Sequence, residues 1–309
     1  MAIIQTEGLT KYYGPTLGVE DLSFQVEEGE VFGFLGPNGA GKTTTVRMLS
    51  CLVAPTRGRA SVNGHRIGVE NQAIRQIIGI LTESPGLYEK LSAWKNLDIY
   101  ARLYGLSGQL REKQVRRYLE MLGLWERRNE TVGEFSKGMK QKMAIARALI
   151  HEPRVLFLDE PTAALDPEAA RVVRHFIAEL KTEGRTILLC THNLDEADRL
   201  CDRIGVMKQH LIQVDTPANL RQRLYGRKVV VHLKALTEPL VSAVRSLPFI
   251  KSIERIDNQL VIGLDNPEEQ NPILVRNLVQ AGGQVQFVNE LRHSLEEVYF
   301  SLISGGKAA

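Results

Sequence analysis

The sequence predicts an α/β chain: a largely parallel sheet wrapped by helices, a helical insertion hung from it, and a second, smaller α+β domain. Three observations carry this. Three short apolar runs, "VFGFL" (31–35), "VLFL" (155–158) and "TILLC" (186–190), each end in polar residues. Between the first two runs the apolar residues recur at helical spacing. After about residue 215 the pattern changes to short strands alternating with helices.

Runs that are apolar throughout, rather than alternating, suit strands buried on both faces of a parallel sheet. The first runs into glycines, the second into Asp-Glu-Pro, and the third into Thr191 and His192. In open α/β sheets ligands bind beyond the carboxyl ends of the strands, where these polar residues fall. "SAWKNLDIYARLYGL" (92–106) places Trp94, Leu97, Tyr100, Ala101 and Tyr104 at helical intervals. "VRRYLEMLGL" (115–124) and "KMAIARALI" (142–150) continue the insertion, which spans about 84–150 of a first domain at 1–217.

"DTPANLRQRLYG" (215–226) reads as a linker to a second domain at 226–304. There the pattern gives strand 228–234, helix 238–246, strands 250–256 and 259–264, helix 268–281 and strand 284–288. Asp257-Asn258 mark a hairpin turn. The βαββαβ order is the split, ferredoxin-like arrangement. A last helix starts at Ser294, with Glu297 placed for a capping box.

A length of 309 residues fits two domains. Hydrophobic content of 43% and charge of 24% are those of a soluble globular protein, and a net charge of +3 is too small to indicate nucleic acid. The basic runs "REKQVRR" (111–117) and "ERR" (126–128) read as solvated helix faces. Cys51, Cys190 and Cys201 share no metal-ligand spacing and fit a reducing compartment. The opening segment lacks the apolar run of a secretory signal, and no stretch approaches the ~20 apolar residues that span a bilayer. A cytoplasmic chain is expected, and any membrane-spanning part must come from another polypeptide.

"GPNGAGKTT" follows the first strand and satisfies G-x-x-x-x-G-K-[ST], the phosphate-binding loop. Gly36, Pro37, Asn38, Gly39, Ala40 and Gly41 supply a loop whose backbone N–H groups can curl around phosphate oxygens. The helix that follows points its positive end at them. Lys42 reaches the β and γ phosphates, while Thr43, followed by Thr44, offers a hydroxyl to Mg²⁺. In "VLFLDEP", Asp159 is placed to hold Mg²⁺ through water and Glu160 to take a proton from an attacking water. His192 ends the third run at the same sheet edge, which points to the γ-phosphate. "EFSKGMKQK" (134–142) is an odd helix start, with Ser136 as cap and three lysines. It reads as a solvated helix start, a basic helix for nucleic acid or membrane, or a grip on a phosphate held by another chain.

These pieces, in this order, resemble the ATP-binding cassette (ABC) family over about residues 3 to 215. The resemblance implies a P-loop NTPase cassette with a RecA-like core, an antiparallel β subdomain and a helical subdomain. Tyr13 in "KYYG" matches the aromatic that stacks on adenine, and "FSKGM" stands where the family's signature lies. "LFLDEP" matches the segment with the Mg²⁺ aspartate and catalytic glutamate. "AALD" matches the dimer-contact loop, with Asp166, and His192 the switch histidine. Two such cassettes stack head to tail, so Ser136 and Gly138 are implied to bind the γ-phosphate of ATP held by a second cassette subunit, either a second copy or a different chain. This selects the third reading of "EFSKGMKQK" and leaves no nucleic-acid partner expected.

Two positions depart from the commoner pattern. The signature is Phe-Ser-Lys-Gly-Met rather than Leu-Ser-Gly-Gly-Gln, and Glu83, implied to contact Mg²⁺ or its water, stands where a glutamine is usual. Both are similar to a branch of exporter subunits, of the daunorubicin-resistance type, whose membrane domain is a separate chain. The C-terminal domain, with its final "SLEEVYFSLI", is similar to the small domain appended to that branch. The implied function is ATP hydrolysis driving a membrane permease from the inner face of the membrane, transmitted near residues 84–105. The alternatives are a cassette acting on ribosomes or chromosomes, or an importer's ATPase. One cassette, no sustained heptads, a lysine in the signature and the appended domain count against them. No motif speaks for the cargo.

Overall fold

A computed structural model describes residues 1–82, 86–163, 165–291 and 294–303, the side chains of 223–225 excepted. The chain forms two compact units, Met1–Thr216 and one that begins at Pro217.

The strands of the first unit are β1 (Ala2–Tyr13), β2 (Thr16–Glu27), β3 (Val31–Leu35), β4 (Arg57–Val62), β5 (His65–Arg66), β6 (Ile78–Leu81), β7 (Val155–Asp159), β8 (Thr186–Thr191), β9 (Arg203–Met207) and β10 (Leu211–Asp215). Its helices are α1 (Lys42–Leu49), α2 (Asn71–Ile77), α3 (Ala93–Leu103), α4 (Gly108–Met121), α5 (Lys137–Leu149), α6 (Pro167–Thr182) and α7 (Leu194–Leu200).

An antiparallel sheet, ordered β2-β1-β4-β5, packs near a six-stranded sheet ordered β10-β9-β3-β8-β7-β6. The six-stranded sheet is parallel except for β10, which runs antiparallel to β9. The three runs legible in the sequence are β3, β7 and β8, and every residue in them is buried. Alternation in β1 and β2 turns Ile4, Leu9, Leu22, Phe24 and Val26 inward. Phe24 meets Phe34 of β3 edge-to-face at 4.9 Å between ring centroids, and Phe34 meets Phe32 the same way at 5.3 Å. The order places β3 between β8 and β9, so the loop after β3 opens at the sheet's carboxyl edge beside the end of β8.

Helices α3 to α5 form the insertion. Ser92 caps α3 by accepting the Lys95 N–H at 3.3 Å, and Leu97, Ala101, Val115, Tyr118, Leu119 and Met143 are buried. Helix α4 starts seven residues before the pattern suggested, because in "GQLREKQ" the single apolar side chain, Leu110, is exposed and the rest is polar or glycine up to Val115. Its arginines are paired: Arg111 with Asp98, Arg116 with Glu120, and Arg117 with Glu152 and Glu183. All three cysteines are buried and free. Among the described residues no helix is long and apolar enough to cross a membrane.

The second unit comprises α8 (Pro217–Tyr225), β11 (Arg227–Leu233), α9 (Glu238–Arg245), β12 (Ser252–Ile256), β13 (Gln259–Leu264), α10 (Pro267–Gln280), β14 (Val285–Leu291) and α11 (Leu295–Ile303). Strand order β12-β13-β11-β14, antiparallel throughout, is the ferredoxin-like arrangement. Val229, Val231, Leu260 and Ile262 pack on Leu240, Val244, Leu274 and Leu278 of the two helices. Asp257 makes the hairpin turn at φ 49°, and Ser294 Oγ accepts the Glu297 N–H at 3.2 Å to start α11. The segment read as a linker is mostly helix: α8 buries Leu220 and packs on α11. That support comes from residues about 75 positions later, so no local pattern shows it.

Candidate nucleotide-binding site

The loop after β3 takes its shape from two glycines. A Cβ at Gly36 would lie 2.6 Å from the Met207 carbonyl oxygen, and at Gly41 2.7 Å from that of Gly18. Gly41 also has φ 95°, in the left-handed region, and caps α1. The N–H groups that open α1, directly after the loop, have no partner within the helix. Tyr13, Pro37, Asn38, Gly39, Ala40, Gly41, Lys42, Thr43, Thr44 and Glu160 line one cleft of about 520 Å³. A loop of backbone donors at a helix N-terminus, with a lysine inside, has the chemistry to hold phosphate.

Lys42 is 5% exposed; its Nζ donates to the carbonyls of Gly36 (2.6 Å) and Pro37 (3.3 Å) and lies 3.7 Å from Glu160 Oε1. The other carboxylate oxygen of Glu160 lies 2.9 Å from His192 Nδ1, so Glu160 bridges Lys42 and His192. Glu160 holds φ 51°, and its N–H donates to the Cys190 carbonyl at 2.9 Å. This is a strained conformation for a residue with a Cβ. Asp159, the last residue of β7, is 1% exposed and stands in register with Cys190. Burial, and then the Asp159 charge, push the Cys190 thiol well above its ordinary range, which makes it inert.

Of the candidate residues described, Gly36, Ser136, Gly138, Asp159, Asp166 and His192 lie outside the cleft's lining, though Gly36 bonds Lys42, Asp159 adjoins Glu160 in the chain and His192 contacts Glu160. Ser136 caps α5 by accepting the Met139 N–H at 3.2 Å, and Asp166 caps α6 by accepting the Ala169 N–H at 2.8 Å. The two helix starts adjoin: a Cβ at Gly138 would stand 3.4 Å from Ala169 Cβ. Glu83 lies outside the described residues.

The cleft also has walls that the motifs did not reveal. Thr16, Leu17 and Gly18 of β2 line it with Gln209, which holds φ 62° in the β9–β10 turn. The Gln209 N–H donates to the Ala40 carbonyl at 2.9 Å, tying the turn to the phosphate loop. Beyond Glu160, Gln141 Nε2 of α5 donates to the Pro161 carbonyl at 2.8 Å, and Thr162 Oγ1 donates to Glu196 Oε1 at 2.9 Å. Burial is the largest influence on the Glu196 carboxyl and raises its pKa, against the Thr191 and Thr162 hydroxyls.

Fold and site together define a P-loop nucleotide-binding ATPase. Comparison with known proteins specifies which kind. Residues 19–163 match the family described as ABC transporter, and residues 216–303 the ATP-binding protein DrrA1-3-like C-terminal domain. The daunorubicin resistance ATP-binding protein DrrA3 of Streptomyces coeruleorubidus is 37% identical over 302 residues, 97% of this chain and 95% of that one. The Nod factor export ATP-binding protein I of Rhizobium sp. (strain N33) is 34% identical over 300 residues, covering 97% and 96%. An ATP-binding cassette solved as a dimer in a post-hydrolysis state with ADP and Pi superposes with a TM-score of 0.64 at 25% identity, covering 69% of this chain and 98% of that one. The chain belongs to the ABC transporter family and is one of its ATP-binding ATPases.

Proposed function

We propose that the chain is the ATP-hydrolysing subunit of an exporter, working as a pair of cassettes that drive a separate membrane permease. Relatives along nearly the whole chain, named for drug resistance and Nod factor export, support the direction of transport. The single observation that carries the chemistry is Glu160, held between Lys42 and His192 at the mouth of the phosphate loop.

Tyr13, 42% exposed at the cleft edge, stacks on adenine. The backbone N–H groups of 36–44 and Lys42 Nζ hold the β and γ phosphates. The donors nearby suit Mg²⁺, which prefers oxygen: the Thr43 hydroxyl at the cleft and the buried carboxylate of Asp159 would hold it. When bound, Mg²⁺ neutralises phosphate charge. Glu160 takes a proton from the attacking water, and His192 and Lys42 stabilise charge that develops on the γ-phosphate. Ser136, Gly138 and the N-terminus of α5 complete the site of the other subunit, with Asp166 at the contact between the two. Closure favours ATP because the second subunit adds contacts only in the closed state. The helical insertion near residues 84–105 passes this closure to the permease at the inner face of the membrane.

The export reading is tested by affinity capture from detergent-solubilised native membranes with mass spectrometry. The expected co-purifying chain is a polytopic membrane protein without its own ATPase domain. Ribosomal or chromosomal partners, with no membrane protein, would leave the ATPase chemistry standing and overturn transport.

A further inference from the structure

Glu196 lies on α7, four residues after His192, and is 1% exposed, an unusual burial for a carboxyl. Asn193 caps the helix by accepting the Glu196 N–H at 3.1 Å, and the Asn193 N–H donates to Thr191 Oγ1 at 3.0 Å. Residues 191–196 thus form one hydrogen-bonded unit around His192. The bond from Thr162 to Glu196 carries that unit across to the segment that leaves β7. That segment is held from the other side by Gln141 of α5. Glu160 immediately precedes these anchored residues, its own N–H donates to the Cys190 carbonyl at 2.9 Å, and it holds a left-handed conformation, which persists only where its surroundings hold it. A favourable placement near the start of α7 does not account for the burial or the threonine bond, because exposed Asp195 already supplies an acidic side chain in the same turn.

We propose that Glu196 is a positioning residue for ATP hydrolysis: its carboxyl clamps the Glu160 segment to the His192 segment and so fixes the pair that faces the γ-phosphate. The clamp rests on the roles given to Glu160 and His192 above. Thr162 is its other half. Glutamine at 196 keeps the oxygen that accepts from Thr162; alanine removes it.

The test uses the purified full chain and the variants Glu196→Ala, Glu196→Gln, Thr162→Val, Glu196→Ala with Thr162→Val, and Glu160→Gln, measuring kcat, the Kd of a fluorescent ATP analogue and the thermal midpoint. Misplaced catalytic groups lose rate without losing ligand, so Glu196→Ala should lower kcat ~10–100-fold with Kd within about twofold. Glu196→Gln should recover kcat to within about threefold of the natural protein, and Thr162→Val should lose most of what Glu196→Ala loses, with no further loss in the double variant. A Glu196→Ala protein with unchanged kcat, or with Kd and kcat falling together, overturns the clamp. Unchanged kcat in Thr162→Val overturns it even where Glu196→Ala does not fold. Glu160→Gln separates the two levels. If it turns over ATP normally, the base assignment fails and the clamp with it; if it does not while Glu196→Ala and Thr162→Val do, only the clamp fails.

Discussion

Glu160 is held by an ammonium on one side and an imidazole on the other, in a backbone conformation that few residues accept. Replacing only its charge isolates its chemistry: Glu160→Gln should lower ATP hydrolysis ~10²–10⁴-fold, the usual worth of a general base, while ATP binding survives. Hydrolysis at the natural rate would remove Glu160 from that role. Lys42→Ala should instead weaken nucleotide affinity itself, read by titration calorimetry, and unchanged affinity would count against the phosphate loop. These residues were legible because their chemistry needs fixed neighbours in sequence: a lysine after a glycine-rich loop, an acid pair at the end of an apolar strand. Gln209 and Glu196 were not. They reach the site from other elements and no local spacing marks them.

At the scale of elements, the helical insertion is fastened to the sheet by a partly buried network. Glu152 accepts from Arg117 Nη1 (2.7 Å) and from the Tyr118 hydroxyl (2.8 Å) on α4, and pairs with Arg185 ahead of β8. Burial and the Glu152 charge keep the Tyr118 hydroxyl protonated. Next to Glu152, His151 stacks on Tyr104 at 3.6 Å and its Nε2 lies 2.9 Å from the Ile78 carbonyl, joining the end of α3 to β6. Burial pushes the His151 pKa down from 6.5 to about 4. The unfolded chain therefore takes up a proton there before the folded one does. The contribution of His151 is complete above pH 6.5 and is lost as pH falls towards 4, by at most about 3 kcal/mol. Urea unfolding at pH 7 and pH 5 should show a smaller loss of stability for His151→Phe than for the natural chain. Equal losses would contradict the assignment. Strand-forming runs such as 155–158 announced themselves, whereas the first two turns of α4 and all of α8 did not. Their stability comes from partners such as Asp98 and α11 rather than from their own periodicity.

For the whole molecule, the arrangement that needs explaining is a phosphate site and a signature helix that do not share one cleft. The loop of 36–44 has its lysine and its acid, while Ser136 and Gly138 stand outside the lining, beside the start of α6. On the proposed pairing, two copies stacked head to tail would give each signature a phosphate to face. Ser136→Arg should then abolish association in ATP while leaving nucleotide affinity of the single chain intact, since arginine fills the place of a small hydroxyl at the subunit contact. The most direct measurement is the mass in solution of Glu160→Gln, which should bind ATP without consuming it, by light scattering with and without MgATP. A shared site predicts a change from 34.6 kDa to twice that value on adding MgATP, reversed by Ser136→Arg. A Glu160→Gln chain that binds MgATP and stays at 34.6 kDa, or a Ser136→Arg chain that still doubles, would contradict a site built from two copies of this protein.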